Sequence, residues 1–219
     1  MTPRFYKMDT LKYILNKFEI ILDNKTRMPI EIPNFGRAGL ATLFHELGFK
    51  VGAEIGVLEG TYSEILCQNN PGVKLYAIDP WKRHRGYRDY VRNSTFSNAH
   101  EKAQKTLAQY NCEILRMFSM DAVKQFDDES LDFVYIDGNH DFENVTNDVS
   151  AWLEKIKVGG VIAGHDYVKH KGPSKIHVYE AINGFTKAYK IRPWFILGSN
   201  AIIPGEIRDD SRSFLWVKQ

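Results

Sequence analysis

Two glycines and an acid carry the first chemical signal. The stretch Glu54-Ile55-Gly56-Val57-Leu58-Glu59-Gly60-Thr61 closes a short apolar run at 51–57. Gly56 and Gly60 let the backbone turn sharply and approach a ligand closely, and the helix that follows offers free N–H groups. The turn is not the dinucleotide fingerprint Gly-x-Gly-x-x-Gly, because residues 58 and 59 are Leu and Glu. Alone, it suits a plain strand–helix connection equally well. Asp79 strengthens the signal. It ends the next apolar stretch, Tyr76-Ala77-Ile78-Asp79-Pro80-Trp81, 19 positions after Gly60. A carboxylate there can accept hydrogen bonds from two ribose hydroxyls, although an Asp before Pro is also a common turn starter. Turn and acid together point to an adenosine-type ligand.

These residues need a scaffold, and the patterning supplies one. Strand-like runs at 51–57, 73–79, 113–117, 131–137, 161–164, 191–197 and 213–217 are separated by helical segments. One such segment covers 99–110. Another carries Val145, Val149, Trp152, Leu153 and Ile156 on one face and is closed by Gly159-Gly160. A later one holds Val178, Ala181, Ile182 and Phe185. The alternation predicts an α/β fold, doubly wound around a mostly parallel seven-stranded sheet with both faces covered. Ligands of such sheets bind outside the carboxyl ends of the strands.

The domain is expected over 36–219, preceded by a helical extension over 1–35. In the extension Asp9 caps a helix with Leu11, Ile14, Leu15, Phe18, Ile21 and Leu22 at helical spacing, ended by Pro29 and Pro33. Its apolar stripe suits the covering of a sheet edge, a homo-oligomer surface or a lid.

The combination Glu54-x-Gly56-x-x-x-Gly60, Asp79 and Asp137 resembles the class I S-adenosylmethionine-dependent methyltransferases, with a Rossmann-like fold. The stretches Val134-Tyr135-Ile136-Asp137-Gly138-Asn139-His140-Asp141 and Gly159-Gly160-Val161-Ile162-Ala163-Gly164-His165-Asp166-Tyr167 look like a small bacterial-type group rich in O-methyltransferases. The likeness covers residues 37–185 and departs from the fuller motif at Leu58, where a middle glycine is usual. It implies that Glu54 anchors the loop or the methionine ammonium and that Gly56 and Gly60 pass beneath the cofactor. Thr61 and Ser63 would meet the methionine carboxylate, and Asp79 the ribose. Ser119 and Asp121 would contact adenine, Asp121 accepting from its exocyclic amine; both also suit an ordinary helix start.

The same resemblance places the reaction at Asp137–Asp141 and His165–Tyr167. Transfer to an alcohol or phenol needs positioning and removal of a proton. His140 suits a base, its ordinary pKa lying near working pH, and Asp137 could orient it or hold the acceptor. In a plainer reading Asp141 caps the next helix and His140 folds over that turn. Some relatives hold a divalent metal at these strand ends; the matching positions are Asp137, His165 and Asp166. A histidine among them shifts the donor set from all-oxygen toward mixed N/O ligation.

Substrate signals are weaker. Lys82, Arg83, Arg85, Arg88 and Arg92 interleave with Tyr87 and Tyr90, and a second basic run spans 169–175. Both follow strand ends and would rim one cleft, as solvated loops or as recognition of an anionic small molecule or glycan. RNA is the competing partner, since aromatics among arginines suit base stacking. No Asn-Pro-Pro-Tyr-type motif follows Asp137, which favours an oxygen acceptor. A non-catalytic cofactor-binding subunit is the alternative to an enzyme.

Composition bounds the rest. The 219 residues are 43% hydrophobic, with 29 Lys+Arg against 27 Asp+Glu and a net charge of +2. That excludes intrinsic disorder and argues against a broad nucleic-acid surface. Two cysteines make no disulfide framework, and no apolar run is long enough to span a membrane. A cytoplasmic protein is expected.

Overall fold

The computed structural model describes residues 9–82, 93–170 and 175–219. In chain order the elements are α1 (Thr10–Lys17), β1 (Ile30–Ile32), α2 (Arg37–Glu46), β2 (Val51–Ile55), α3 (Thr61–Asn69), β3 (Lys74–Ile78), α4 (Asn93–Leu107) and β4 (Cys112–Leu115). They continue as α5 (Ser119–Ala122), β5 (Leu131–Ile136), α6 (Phe142–Lys155), β6 (Ile156–Gly164), α7 (Val178–Ala188), β7 (Phe195–Leu197) and β8 (Phe214–Val217). The strands form one eight-stranded sheet in the order β1-β7-β8-β6-β5-β2-β3-β4. All neighbours are parallel except β8, which runs antiparallel to β6 and β7.

Two-sided burial explains the apolar runs. In β5, Phe133 and Tyr135 face the layer of α1, α2 and α3, where Ile14, Leu40, Phe44 and Leu66 pack. Val134 and Ile136 face α6 and α7, with Val149, Trp152, Ile182 and Trp216. Each such fully buried apolar side chain contributes roughly 1.5–3 kcal/mol relative to exposure. Ala99, Ala103 and Leu107 of α4 close a third cluster against Val57, Ala77 and Trp81. The aromatic residues Phe195, Phe214 and Trp216 are core, none more than 1% exposed.

Two departures from the sequence expectation have clear causes. Residues 30–32 form an eighth strand within the segment expected to be helical; Ile30 and Ile32 alternate with Glu31, and the segment pairs in parallel with β7. Gly159 and Gly160 lie inside β6 and do not close α6, which ends at Lys155. A Cβ on Gly160 would meet the Asp132 carbonyl oxygen at 2.6 Å, so close strand approach requires a glycine there. Asp9 caps α1 as expected, accepting the Lys12 N–H at 3.1 Å, but the helix ends at Lys17, short of Ile21 and Leu22 of the expected stripe, which are exposed. None of the helices among the described residues is long and apolar enough to cross a membrane.

From β2 the chain winds outward through β3 and β4, then returns to place β5 on β2's other side. The carboxyl ends of β2 and β5 therefore flank the switch point, where a crevice opens.

Candidate active site

A cavity of about 640 Å³ fills that crevice. Its floor is the turn after β2. Gly56 stands at φ +89°, and a Cβ there would lie 2.1 Å from the Asp137 carbonyl oxygen. Leu58 takes the left-handed conformation at φ +49°, at the position where the resembling family carries glycine. Asp79 holds it there. Its Oδ2 accepts the Val57 and Leu58 N–H groups at 3.0 Å each, and its Oδ1 accepts the Trp81 N–H at 2.7 Å. The Trp81 indole N–H closes the brace on the Leu58 carbonyl at 2.7 Å. Burial pushes the Asp79 carboxyl up, and the three amide hydrogen bonds offset part of that rise.

Thr61, at the start of α3, lines the cavity. Gly60 and Ser63 lie behind it. Gly60 allows α4 to approach, its hypothetical Cβ falling 3.3 Å from Ala103 Cα. Ser63 donates its hydroxyl hydrogen to Glu54, which lines the cavity at 1% exposure. Burial pushes the Glu54 carboxyl well above its ordinary range, with the Ser63 hydrogen bond and Arg37 acting against it.

Arg37 comes from the first turn of α2. Its guanidinium lies 5.3 Å from the Tyr62 ring centroid, with Nη1 3.7 Å from Asp137 Oδ2 and Nε 3.8 Å from Asp209 Oδ1. Nothing in the sequence links residues 37, 62, 137 and 209; only the tertiary fold does.

Asp137 ends β5, and His165 and Asp166 follow β6. His140 Nε2 lies 3.0 Å from Asp166 Oδ2 and 3.4 Å from Asp137 Oδ1. Asp137, His140 and Asp166 form a compact group whose candidate ligand atoms all lie within 4.8 Å of one another. The expected metal set contained His165 in place of His140. His165 stands beside the group, its Nδ1 3.8 Å from Asp137 and 3.6 Å from Asp166, because the chain's turn at Asp166, with φ +56°, aims the acid inward. Burial raises the Asp166 carboxyl, but the close His140 imidazole and the nearby His165 ring outweigh it and hold the group far below the usual range. For His165, burial lowers the pKa while Asp166 and Asp137 more than restore it, leaving it raised. Asp141 meanwhile caps α6, accepting the Asn144 N–H at 2.9 Å, so the capping and His140's place in the cleft coexist.

The structure separates the two expected adenine contacts. Ser119 lines the cavity, whereas Asp121 lies outside the lining, its side chain 62% exposed and paired with Lys124 at 3.0 Å. In its place stands Asp148 of α6, 5% exposed, which accepts the Ser119 hydroxyl hydrogen at 2.5 Å. A sequence signal for it existed: Asp148 interrupts the apolar stripe of Val145, Val149 and Trp152. Of the basic runs, Lys82 lines the cavity; residues 83–92 and 171–174 lie outside the described residues.

Burial pushes the Asp148 carboxyl from 3.8 up to about 6. Between those values the folded chain keeps a proton that the unfolded chain has released. Stability is therefore lost as pH rises through that window, by roughly 2–3 kcal/mol for this group. Asp148→Asn should be more stable than the unsubstituted chain above about pH 6, the gap closing near pH 4. Urea unfolding of both proteins across this range measures it.

The doubly wound sheet and its cleft define the Rossmann-like architecture of class I methyltransferases. Residues 53–167 match the family model described as a methyltransferase domain, and the chain belongs to that family. Its fold is similar to that of cofactor-bound Rv0187 from MTB, with a TM-score of 0.60 at 14% identity, covering 96% of this chain and 90% of that one. The O-methyltransferase from Bacillus cereus, solved in complex with SAH, gives 0.59 at 16% identity over 98% of this chain and 93% of its own. Uncharacterized protein R132 of Acanthamoeba polyphaga mimivirus is 24% identical over 142 residues, 64% of this chain. The chain spans 62% of that relative's length.

Proposed function

We propose that this protein transfers the methyl group of S-adenosylmethionine to an oxygen of a small polar acceptor. The observation that carries the donor is the charge of the cleft. Among the described residues its lining holds six carboxylates, Glu54, Glu59, Asp79, Asp137, Asp148 and Asp166, against one guanidinium, Arg37, and one ammonium, Lys82. Such a lining suits a ligand bearing a sulfonium and an ammonium. S-adenosylmethionine supplies a methyl group on a positively charged sulfur. Glu54, buried and short of cationic partners, would take the ammonium; Asp79 Oδ1 retains lone-pair capacity for a ribose hydroxyl beyond its bond to Trp81. His140, its Nε2 facing Asp166 and Asp137, would take up the acceptor's hydroxyl proton on its imidazole, and the two carboxylates would stabilise the imidazolium that forms. The O-methyltransferase of Bacillus cereus, which shares the fold, agrees with an oxygen acceptor.

Calorimetric titration tests the donor. Micromolar binding of S-adenosylmethionine is expected, weakened about tenfold or more by Glu54→Gln; absence of binding to the unsubstituted chain rejects the reading. The basic runs at 82–92 and 169–175 favour a small polar or anionic acceptor such as a sugar or nucleotide-linked sugar. A screen with labelled donor against sugar nucleotides, phenols and RNA decides it, RNA turnover alone overturning the small-molecule assignment.

A second reading of the catalytic group has its own support. Two carboxylates and an imidazole fit a divalent cation, and the neighbouring His165 Nε2 is buried with no hydrogen-bond partner among the described residues. An ion held by Asp137, His140 and Asp166 would supply a Lewis acid beside the acceptor hydroxyl. The mixed N/O donors suit a transition metal better than magnesium. Under this reading exhaustive chelation lowers turnover about 100-fold or more and added manganese restores it; full activity after chelation leaves His140 as the base.

A further inference from the structure

We propose that Asp148 reads the amino edge of the methyl donor's purine, its Oδ2 accepting an exocyclic N–H and selecting a 6-aminopurine over a 6-oxopurine. The inference rests on the donor reading above, in which Asp148 contributes only to the charge of the cleft, and gives that buried acid a specific partner.

The cleft has two chemically different ends. Glu54 approaches from the α3 face of the sheet, where its partner Ser63 lies. Asp148 approaches from α6, on the opposite face. A donor whose ammonium lies at Glu54 extends its other, purine end away from that charge. Phe118 and Met120, the chain neighbours of Asp148's partner Ser119, also line the cavity, apolar surface suited to the faces of a flat base.

The polar groups there are arranged as acceptors. The single Ser119 hydroxyl hydrogen is committed to Asp148 Oδ1, and its oxygen takes the Trp152 indole N–H at 2.8 Å. Asn144, one turn before Asp148 on the same side of α6, has its amide nitrogen turned to the Asp141 carboxylate at 2.8 and 3.0 Å. Asn144 also lines the cavity, and its carbonyl oxygen accepts no hydrogen bond among the described residues. Asp148 Oδ2 receives no hydrogen bond within the described residues and lies beside Gly138, whose hypothetical Cβ would fall 3.9 Å from it. Gly138 itself lines the cavity. An acceptor-rich edge between apolar walls matches a base that presents an amine and repels one that presents a carbonyl oxygen. Burial of the Asp148 carboxylate opposes its ionisation, and a ligand N–H would relieve that cost.

Asp148→Asn inverts the pattern with little change of shape. The new amide oxygen can keep the Ser119 hydrogen bond, which puts an N–H donor where Oδ2 was. Calorimetry with S-adenosylhomocysteine and S-inosylhomocysteine, on the full chain and on the variant, reads the outcome. The unsubstituted chain should prefer the adenosyl compound by about tenfold or more, and Asp148→Asn should bring that ratio to about one or below. An unchanged ratio in a folded variant overturns the inference while the donor reading stands. If the variant does not unfold cooperatively, the unsubstituted chain decides: equal affinity for both compounds overturns it. Binding of neither compound refutes the donor reading, and this inference with it.

Discussion

Gly56→Ala is expected to abolish donor binding and to destabilise the fold by about 3 kcal/mol or more. The added Cβ would lie 2.1 Å from the Asp137 carbonyl oxygen, 2.5 Å from its carbon and 2.7 Å from Gly138 Cα. These are backbone atoms, so no side-chain rotation relieves the clash. The carboxyl ends of β2 and β5 would have to separate, straining the hydrogen bond from the Asp137 N–H to the Ile55 carbonyl, now 2.7 Å. The left-handed φ of +89° adds its own penalty. Gly72→Ala is the control. Gly72 also has positive φ, at +82°, but open space around its Cβ position, so it should cost only about 1–2 kcal/mol and leave binding intact. Urea unfolding and titration with S-adenosylhomocysteine separate the two effects; equal losses in both variants would reject the close-approach account.

The second large effect is kinetic. His140→Ala is expected to lower turnover by about 10²–10⁴-fold while changing donor affinity little. The reason is placement: His140 Nε2 lies between Asp166 and Asp137 at 3.0 and 3.4 Å, on the opposite side of the switch point from Glu54 and Asp79. Asp166→Asn keeps the shape and removes the charge that would stabilise a protonated imidazole, so it should also slow turnover. Assay on the acceptor found by the screen gives turnover, and calorimetry gives donor affinity. A His140→Ala variant that turns over normally would remove this residue from the chemistry, whether as base or as metal ligand.

How much of this was readable beforehand depended on distance along the chain. The runs that became β2 and β5 are visible because a strand buried on both faces must be apolar at nearly every position. Strand β1 was not, because three residues carry little periodicity and its partner β7 begins at Phe195. Asp137, His140, His165 and Asp166 were legible as chemical types after apolar runs. Which histidine meets both acids was not, since it depends on the backbone turn at Asp166.

The sequence by itself determined the alternating α/β layers, the glycine turn with its acid, and the strand-end histidines and carboxylates, because these are local consequences of periodicity and residue type. Only the tertiary structure decided the contacts. It put Arg37 against Asp137 and Asp209, turned Asp79 toward the loop amides, left Asp121 on the surface and set Asp148 beside Ser119. Each pairing joins residues from separate elements, and a side chain's partner there is set by strand order and helix packing, which no short stretch of sequence encodes.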